Sequence, residues 1–289
     1  MSTRYLSLAT LLILSAGPAL VAQPDSTAPA VRRISLEGEW AMTHAEPGIG
    51  LGQGYALAAP PRGEWIPCAV PGSAQAAMFA AGKIPDPYYA RQNLDNQWME
   101  QKEWWFRREF SLAPRPGARY RLEFDGVDHF ATIYLNGQEL GRHTGMFDPF
   151  DYDVTDHLRA DAPNLLSVRI DPPPPIERAN YELRSQVYNC SQAFFYWAYV
   201  RMMTIGIWKP VRLVEVPVAE IRHPFIRTLE QNPASARLRV NGQVEAAAPL
   251  TGASVRIDLA GANCDATPAS FTVPVADSAF DTKIDIADP

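Results

Sequence analysis

The sequence predicts an all-β protein made of antiparallel β-sandwiches, and three observations support this class. Residues 120–124 and 166–170 alternate apolar and polar side chains, which is typical of strands that bury one face. The pair Asn136-Gly137 follows a further apolar segment, and Asn-Gly favours the tight turn of a hairpin. Residues 104–170 show no 3.6-residue apolar period, so helices are not expected there.

Residues 1–22 have the features of a secretory signal peptide. Arg4 gives a positive start, residues 6–16 are mostly apolar, and small residues near Ala22 suit cleavage. An uncleaved membrane anchor is the alternative, since the apolar segment approaches the length of a short spanning helix. With cleavage, residues 23–33 form a loose leader, and the mature protein is secreted or periplasmic.

The next segment predicts a strand and then a glycine-rich loop. Residues 34–40 predict the first strand of the sandwich. Glycines then alternate with other residues at Gly48, Gly50, Gly52 and Gly54. Their spacing differs from that of phosphate-binding and dinucleotide-binding loops, and no helix follows directly. We therefore predict a flexible surface loop.

One short helix is predicted over residues 74–81. Ser73 can cap its free amides, and Gly82 ends it. The Pro-Asp-Pro segment that follows cannot continue a helix, which predicts an extended course along the sandwich. Tyr88 and Tyr89 end this segment, and we expect them to pack against the protein rather than to stack on a ligand.

The remaining strand predictions divide the chain into two domains. Residues 104–112 and 131–135 predict further strands of the first sandwich. A long connection with four consecutive prolines follows residue 170, and these prolines predict an extended polyproline conformation. A second sandwich is predicted from residue 217, with strands at 237–240 and 255–259.

Composition excludes several classes of function. The formal net charge of −6 and the absence of a basic run argue against a nucleic-acid partner. The histidines lack metal-ligand spacing, and no cofactor motif is present, so neither a metal nor a cofactor is expected. Cys68, Cys190 and Cys264 lie far apart, which leaves either a Cys68–Cys190 disulfide or three free thiols.

Several separated motifs of residues 34–216 resemble, in order, the N-terminal region of glycoside hydrolase family 2. Its β-mannosidase-like branch is the most similar. The motifs are Ile84-Pro85-Asp86-Pro87-Tyr88-Tyr89, Gln97-Trp98 with Glu100, Lys102 and Trp104, Phe106-Arg107-Arg108-Glu109-Phe110, Leu122-Glu123-Phe124-Asp125-Gly126-Val127-Asp128, Ala131-Thr132-Ile133-Tyr134-Leu135-Asn136-Gly137, Phe147-Asp148-Pro149-Phe150, Asp153-Val154-Thr155, and the closing strand Gly206-Ile207-Trp208-Lys209-Pro210-Val211.

The resemblance implies a domain organisation and a catalytic partner. Residues 34–216 would form a jelly-roll, galactose-binding-like β-sandwich, and residues 217–289 an immunoglobulin-like β-sandwich that is incomplete. The family holds its two catalytic glutamates on a (β/α)₈ barrel, which needs about 250 residues and is expected to be absent from this chain. The sequence contains no Asn-Glu pair, which the family uses for its acid/base. We therefore expect no catalytic residue here, and a barrel in cis as partner.

The resemblance also indicates three substrate-binding candidates. In the β-mannosidase-like branch, a loop before the closing strand carries Trp-Asp-Trp, and its aspartate binds substrate hydroxyls. This sequence has Tyr196-Trp197-Ala198 there, so Trp197 occupies the position of the aspartate. The difference argues against mannose specificity. Tyr196, Trp197 and Tyr199 are candidates for a wall that faces a β-linked glycoside. The alternative is that they pack against the barrel or inside the sandwich.

The functional hypotheses from the sequence belong to different classes. The leading one is a non-catalytic N-terminal portion of an exported family 2 hydrolase, inactive alone. The alternatives are an autonomous secreted carbohydrate-binding protein and a truncated remnant without function. No membrane association is expected beyond the signal peptide.

Overall fold

A computed structural model describes residues 11–16, 31–57, 63–172, 203–232, 234–260 and 268–287. The chain divides into two compact units, one formed by residues 32–116 with 120–215 and the other by residues 1–31, 117–119 and 216–289. No helix in the described ranges is long and apolar enough to cross a membrane.

The described elements are mainly β-strands, as predicted. The strands are β1 (Leu11–Ala16), β2 (Arg32–Ser35), β3 (Gly38–Ala45), β4 (Ile66–Val70), β5 (Glu103–Phe110), β6 (Arg119–Phe124), β7 (Phe130–Leu135), β8 (Gln138–Thr144), β9 (Phe150–Asp153), β10 (Asn164–Asp171), β11 (Val211–Val216), β12 (Ala219–Asn232), β13 (Ser235–Ala246), β14 (Ala253–Leu259), β15 (Ala269–Pro274) and β16 (Ala279–Ala287). The helices are α1 (Ala74–Ala80), α2 (Gln92–Asp95) and the 3₁₀ segments Gln97–Gln101 and Thr155–His157.

Two antiparallel sheets form the first unit, which confirms the predicted sandwich. The larger has the order β4-β3-β5-β10-β7-β8, and the smaller has the order β2-β11-β6-β9. Large side chains from both sheets are fully buried, among them Trp104, Phe106, Tyr120 and Phe124. Each such burial contributes about 1.5–3 kcal/mol, so this apolar layer stabilises the jelly roll.

The predicted hairpin turn and helix are both confirmed. Asn136 and Gly137 have φ angles of 55° and 87° and connect β7 to β8, as a type I′ turn requires. The Ser73 hydroxyl accepts a hydrogen bond from the Ala76 amide at 3.2 Å, at the start of α1. Gly82, with a φ of 67°, follows the helix. Local turn and cap chemistry therefore determines these two features.

Two strand predictions need correction. The predicted strand 34–40 is divided, because β2 belongs to the smaller sheet and β3 to the larger sheet. The predicted closing strand 206–211 contributes only an isolated bridge between Gly206 and Asp128, and β11 begins at Val211. Proline at position 210 lacks an amide hydrogen, so a regular ladder starts only after it.

The loop of alternating glycines is fixed rather than free. The Glu103 carboxylate is fully buried and accepts hydrogen bonds from the amides of Gly48 at 2.7 Å and Gly50 at 2.6 Å. Tyr55, which follows the last of the four glycines, packs with Trp105 of β5 in one apolar cluster. The loop lies at the surface as predicted, with Ile49 and Leu51 exposed. It is not free of the body of the unit, because an internal carboxylate accepts from two of its amides.

The segment with Tyr88 and Tyr89 also differs from its prediction. The Asp86 carboxylate accepts from the Tyr88 amide at 2.9 Å, and the Asp86 carbonyl accepts from the Tyr89 amide at 3.1 Å. These bonds form a turn in place of an extended segment. Tyr88 and Tyr89 are 72% and 68% exposed, so the expected packing of their rings was wrong.

The second unit contains two three-stranded antiparallel sheets with the orders β12-β13-β16 and β1-β14-β15. Apolar side chains that alternate along β13 and β14 form its core, as in Val240, Val255 and Ile257. The predicted strands 237–240 and 255–259 are thereby confirmed. Leu11–Ala16, predicted as part of the signal peptide, pairs with β14 along its whole length.

The thiol of Cys68 is free and buried, and burial raises its pKa to about 12. The described residues do not include Cys190, Cys264 or the last three of the four consecutive prolines, at positions 173–175. Within the described ranges, no group of histidine, cysteine, aspartate or glutamate side chains could hold a metal ion.

Candidate functional site

The three substrate-binding candidates lie on the segment between β10 and β11. Tyr196, Trp197 and Tyr199 fall outside the described residues, so their role stays a prediction. The described residues that flank this segment are Pro172 before it and Met203 after it. Both residues line one cavity. The two ends of the segment therefore meet at a single place, which we call the stem site.

Buried polar side chains hold the returning end of the segment. The Met203 amide donates to the Glu100 carboxylate at 2.9 Å, and the Met203 carbonyl accepts from the Gln75 side-chain amide at 2.6 Å. Gln75 also accepts from the Ile205 amide at 3.3 Å. Both backbone polar groups of Met203 are satisfied within the protein, which favours one fixed path for the chain here.

Further contacts continue this path toward β11. The Thr204 hydroxyl donates to the Asp128 carboxylate at 2.7 Å. Backbone amides at the start of α1 also contribute, since Ala74 donates to the Ile205 carbonyl at 2.7 Å and Gly72 to the Ile207 carbonyl at 2.8 Å. Residues 205–207 thus pair with the helix entry as a short strand would.

Three distant parts of the sequence supply the stem site. Gln75 lies in the first turn of α1, Glu100 in the 3₁₀ segment Gln97–Gln101, and Asp128 directly after the turn that follows β6. The capped helix places Gln75 inward, where it is 3% exposed. Glu100 and Asp128 belong to the motifs of the resemblance, but no local pattern indicates their partners, which lie 76 to 103 positions away.

The cavity between the two ends is small. It has a volume of about 30 Å³, which suits about one water molecule. Its polar lining residues are Glu100, Lys102, Asp128, His129, Asp171 and Thr204. A sugar ring does not fit in this space, so the described stem site supports the segment rather than enclosing a substrate.

Burial changes the proton affinity of several groups at the stem site. Burial raises the pKa of Asp128 to about 6, and the hydrogen bond from Thr204 opposes this rise. Burial likewise raises the pKa of Asp171, with Arg169 opposing. The pKa of His129 is lowered by burial and by the nearby His143. A neutral imidazole and a carboxylic acid that titrates near pH 6 therefore lie side by side.

The raised pKa of Asp128 predicts a pH-dependent stability. Between about pH 4 and 6 the native state holds a proton that the unfolded state has released, so stability falls as the pH rises. Asp128→Asn removes this titration and keeps an acceptor for Thr204. We expect this variant to gain about 1–3 kcal/mol relative to the unmutated protein between pH 4 and pH 7. Urea denaturation at several pH values measures the difference.

Asp156→Asn is the matched control for this experiment, because Asp156 is exposed. Its stability relative to the unmutated protein should stay constant over the same range. A constant difference for Asp128→Asn as well would contradict the assignment.

The fold defines a class: a galactose-binding-like jelly roll, followed along the chain by an immunoglobulin-like sandwich. The family model described as "Glycosyl hydrolase 2 galactose-binding domain-like" matches residues 53–209. The chain therefore belongs to glycoside hydrolase family 2, as its motifs indicated.

Curated relatives are β-mannosidases. The chain is 29% identical to β-mannosidase B of Aspergillus terreus over 236 residues, which is 76% of this chain and 28% of the relative. It is 26% identical to the β-mannosidase of Capra hircus over 223 residues, 69% of this chain and 23% of the relative. The chain thus spans about a quarter of the length of these relatives.

Solved structures show the same fold. The β-D-mannosidase of Dictyoglomus thermophilum superposes with a TM-score of 0.67 at 22% identity, over 89% of this chain and 31% of that chain. The β-glucuronidase of Bifidobacterium dentium superposes with a TM-score of 0.62 at 24% identity, over 94% of this chain and 44% of that chain. These two enzymes are named for different sugars but share this architecture, so the fold by itself does not specify a substrate.

Proposed function

We propose that this chain is the non-catalytic N-terminal portion of an exported family 2 hydrolase of β-linked glycosides that resembles β-mannosidase. The observation that carries the proposal is that relatives named β-mannosidase match most of this chain with only about a quarter of their own length. The remaining length of such an enzyme would hold the barrel and its two glutamates.

The stem site gives this portion a task in the complete enzyme. Glu100, Gln75 and Asp128 fix the backbone from Met203 to Ile205. That anchor lies directly after the segment with the aromatic candidates, so it would aim the segment at a substrate held by the barrel. Correct placement of a group that contacts substrate supports catalysis without any chemistry of its own.

The character of the segment indicates what kind of contact it offers. Tyr196, Trp197 and Tyr199 present ring faces that can pack on the C–H faces of a sugar. Where the resembled loop has an aspartate, this sequence has Trp197. The contact would rest on stacking rather than on a carboxylate that binds hydroxyls, so the discrimination among sugars would come from the barrel.

We expect the 289-residue chain to hydrolyse no glycoside. A retaining glycosidase needs two carboxyl groups about 5 Å apart beside the scissile bond, and our proposal assigns both to the barrel. Purified protein would be assayed on chromogenic β-mannoside, β-galactoside and β-glucuronide. Release of the chromophore above a heat-denatured sample, retained through a second purification step, would contradict this expectation.

The DNA that follows codon 289 tests the proposal directly. An open reading frame that continues into a barrel with an Asn-Glu pair would support a hydrolase. Unrelated sequence there would instead favour an autonomous carbohydrate-binding protein.

A further inference from the structure

A second concave surface lies on the outer face of the larger sheet and shares no residue with the stem site. It has a volume of about 760 Å³, within the range of roughly 300–1,000 Å³ that is typical of ligand sites. We call it the Trp65 groove. Its lining residues are Glu39, Trp40, Ala41, Trp65, Ile66, Pro67, Arg107, Arg108, Glu109 and Leu165.

The pairing of three strands explains the shape of the groove. Ala41 of β3 pairs with Pro67 of β4 on one side and with Arg107 of β5 on the other. Residues directly opposite each other in a sheet project from the same face, so the compact side chains of Ala41 and Pro67 form a low floor. The longer side chain of Arg107 and the ring of Trp65 rise beside it.

Arg107 is buried and forms no ion pair with a carboxylate of the described residues. Arg107 is only 7% exposed, and its Nη2 donates to the Leu57 carbonyl at 2.8 Å. The guanidinium lies over the Trp65 ring at 5.0 Å. Within the described part of the chain, the Nε of Arg107 has no hydrogen-bond acceptor. Burial lowers the pKa of Arg107 although the nearby Glu109 raises it, as expected for a cation held out of water.

Trp65 has a similar deficit. Its indole Nε1 is buried and has no acceptor among the described residues, while its ring is partly exposed and meets the edge of Tyr55 at 5.3 Å. Buried donors without acceptors cost free energy. Both donor atoms are covered, so the part of Trp65 that a ligand can reach is its partly exposed ring.

The chemistry of the lining indicates the class of ligand. An aromatic ring can pack on a sugar face, arginine donates hydrogen bonds, and the exposed carboxylates of Glu39 and Glu109 accept them. Hydroxyl groups both donate and accept, so they match this mixture. The two glutamates of the lining balance its two arginines, Arg107 and Arg108, so no net charge attracts an ionic ligand to the groove.

We propose that the Trp65 groove binds a neutral oligosaccharide chain, with Trp65 as the stacking platform and Arg107, Glu39 and Glu109 as hydroxyl partners. The site is separate from the segment that the proposed function assigns to substrate. It would hold a polysaccharide on the enzyme, or on the chain alone, whether or not a barrel is present.

Affinity electrophoresis of the purified chain tests the proposal. Native gels would contain galactomannan, yeast α-mannan or mixed-linkage β-glucan as neutral polymers, and polygalacturonate as the acidic one. We expect at least one neutral polymer to retard the protein. Trp65→Ala should weaken that retardation by about tenfold in apparent Kd, the loss of about 1.4 kcal/mol.

Two further variants make the result specific. Tyr88→Ala removes another exposed aromatic ring and should leave the retardation unchanged. Trp65→Phe keeps a ring in the groove, and it should retain more binding than Trp65→Ala while both keep the circular dichroism spectrum of the unmutated protein. Retardation by polygalacturonate alone, by none of the neutral polymers, or unchanged by Trp65→Ala would overturn the proposal.

Discussion

Replacing Glu103 with alanine should lower the melting temperature of the first unit by about 10 °C. The Glu103 carboxylate accepts from the amides of Gly48 and Gly50 and from the indole of Trp105 at 3.0 Å. Alanine leaves the buried Gly50 amide and Trp105 indole without an acceptor, at a cost of about 3–5 kcal/mol in total. For a unit of this size, each 1 kcal/mol lowers the melting temperature by about 2–4 °C.

Differential scanning calorimetry measures this loss, and a second glutamate of β5 supplies the control. Glu109 lies on the same strand and is exposed, so Glu109→Ala should change the free energy of unfolding by less than about 0.5 kcal/mol. Limited proteolysis should also cut Glu103→Ala within residues 46–57, because the amides that fix this loop lose their acceptor. Equal melting temperatures for the two variants would show that the loop does not depend on the carboxylate.

The second large effect is expected for Gly206→Ala, with a loss of about 3 kcal/mol. A Cβ atom at this position would lie 2.3 Å from the Gly72 carbonyl oxygen and 2.8 Å from the Ser73 Cα. Both neighbours are backbone atoms, so neither can rotate away. The clash would separate residues 205–207 from the start of α1, where amides of Gly72 and Ala74 now donate to them.

Urea denaturation gives the free energy of unfolding for this variant. Gly52→Ala is the matched control, because its Cβ would meet only the Ile49 carbonyl at the ordinary distance of 3.4 Å. We expect the control to unfold at nearly the same urea concentration as the unmutated protein. If both variants unfolded alike, the close approach at Gly206 would not be rigid, and the anchoring of the stem site would lose its support.

Local patterns predicted the features that local chemistry determines. Strand alternation located β6 and β10, the Asn-Gly pair located the turn at Asn136, and Ser73 marked the start of α1. The family motifs predicted the jelly roll. These predictions succeeded because each depends on residues that are close in the sequence, or on several motifs in a fixed order.

Features that depend on distant residues could not be predicted. Nothing near Glu103 shows that its partners are amides 53 and 55 positions earlier, so the glycine spacing alone predicts a loop without such an anchor. Gln75 looks like an ordinary helical residue until the chain returns past Met203, 128 positions later. The Trp65 groove likewise exists only after three strands have paired. The role of Tyr196, Trp197 and Tyr199 remains a prediction.

The pairing of β1 with β14 has a consequence for the order of events during synthesis. The two strands lie roughly 240 positions apart, so this is among the most non-local contacts in the chain and forms late. A ribosome presents Leu11–Ala16 long before it has made the partner strand. Leu11–Ala16 therefore stays without this partner until residue 258 has been made. Any event that removes or occupies these six residues before then leaves β14 with β15 as its one partner strand among the described residues.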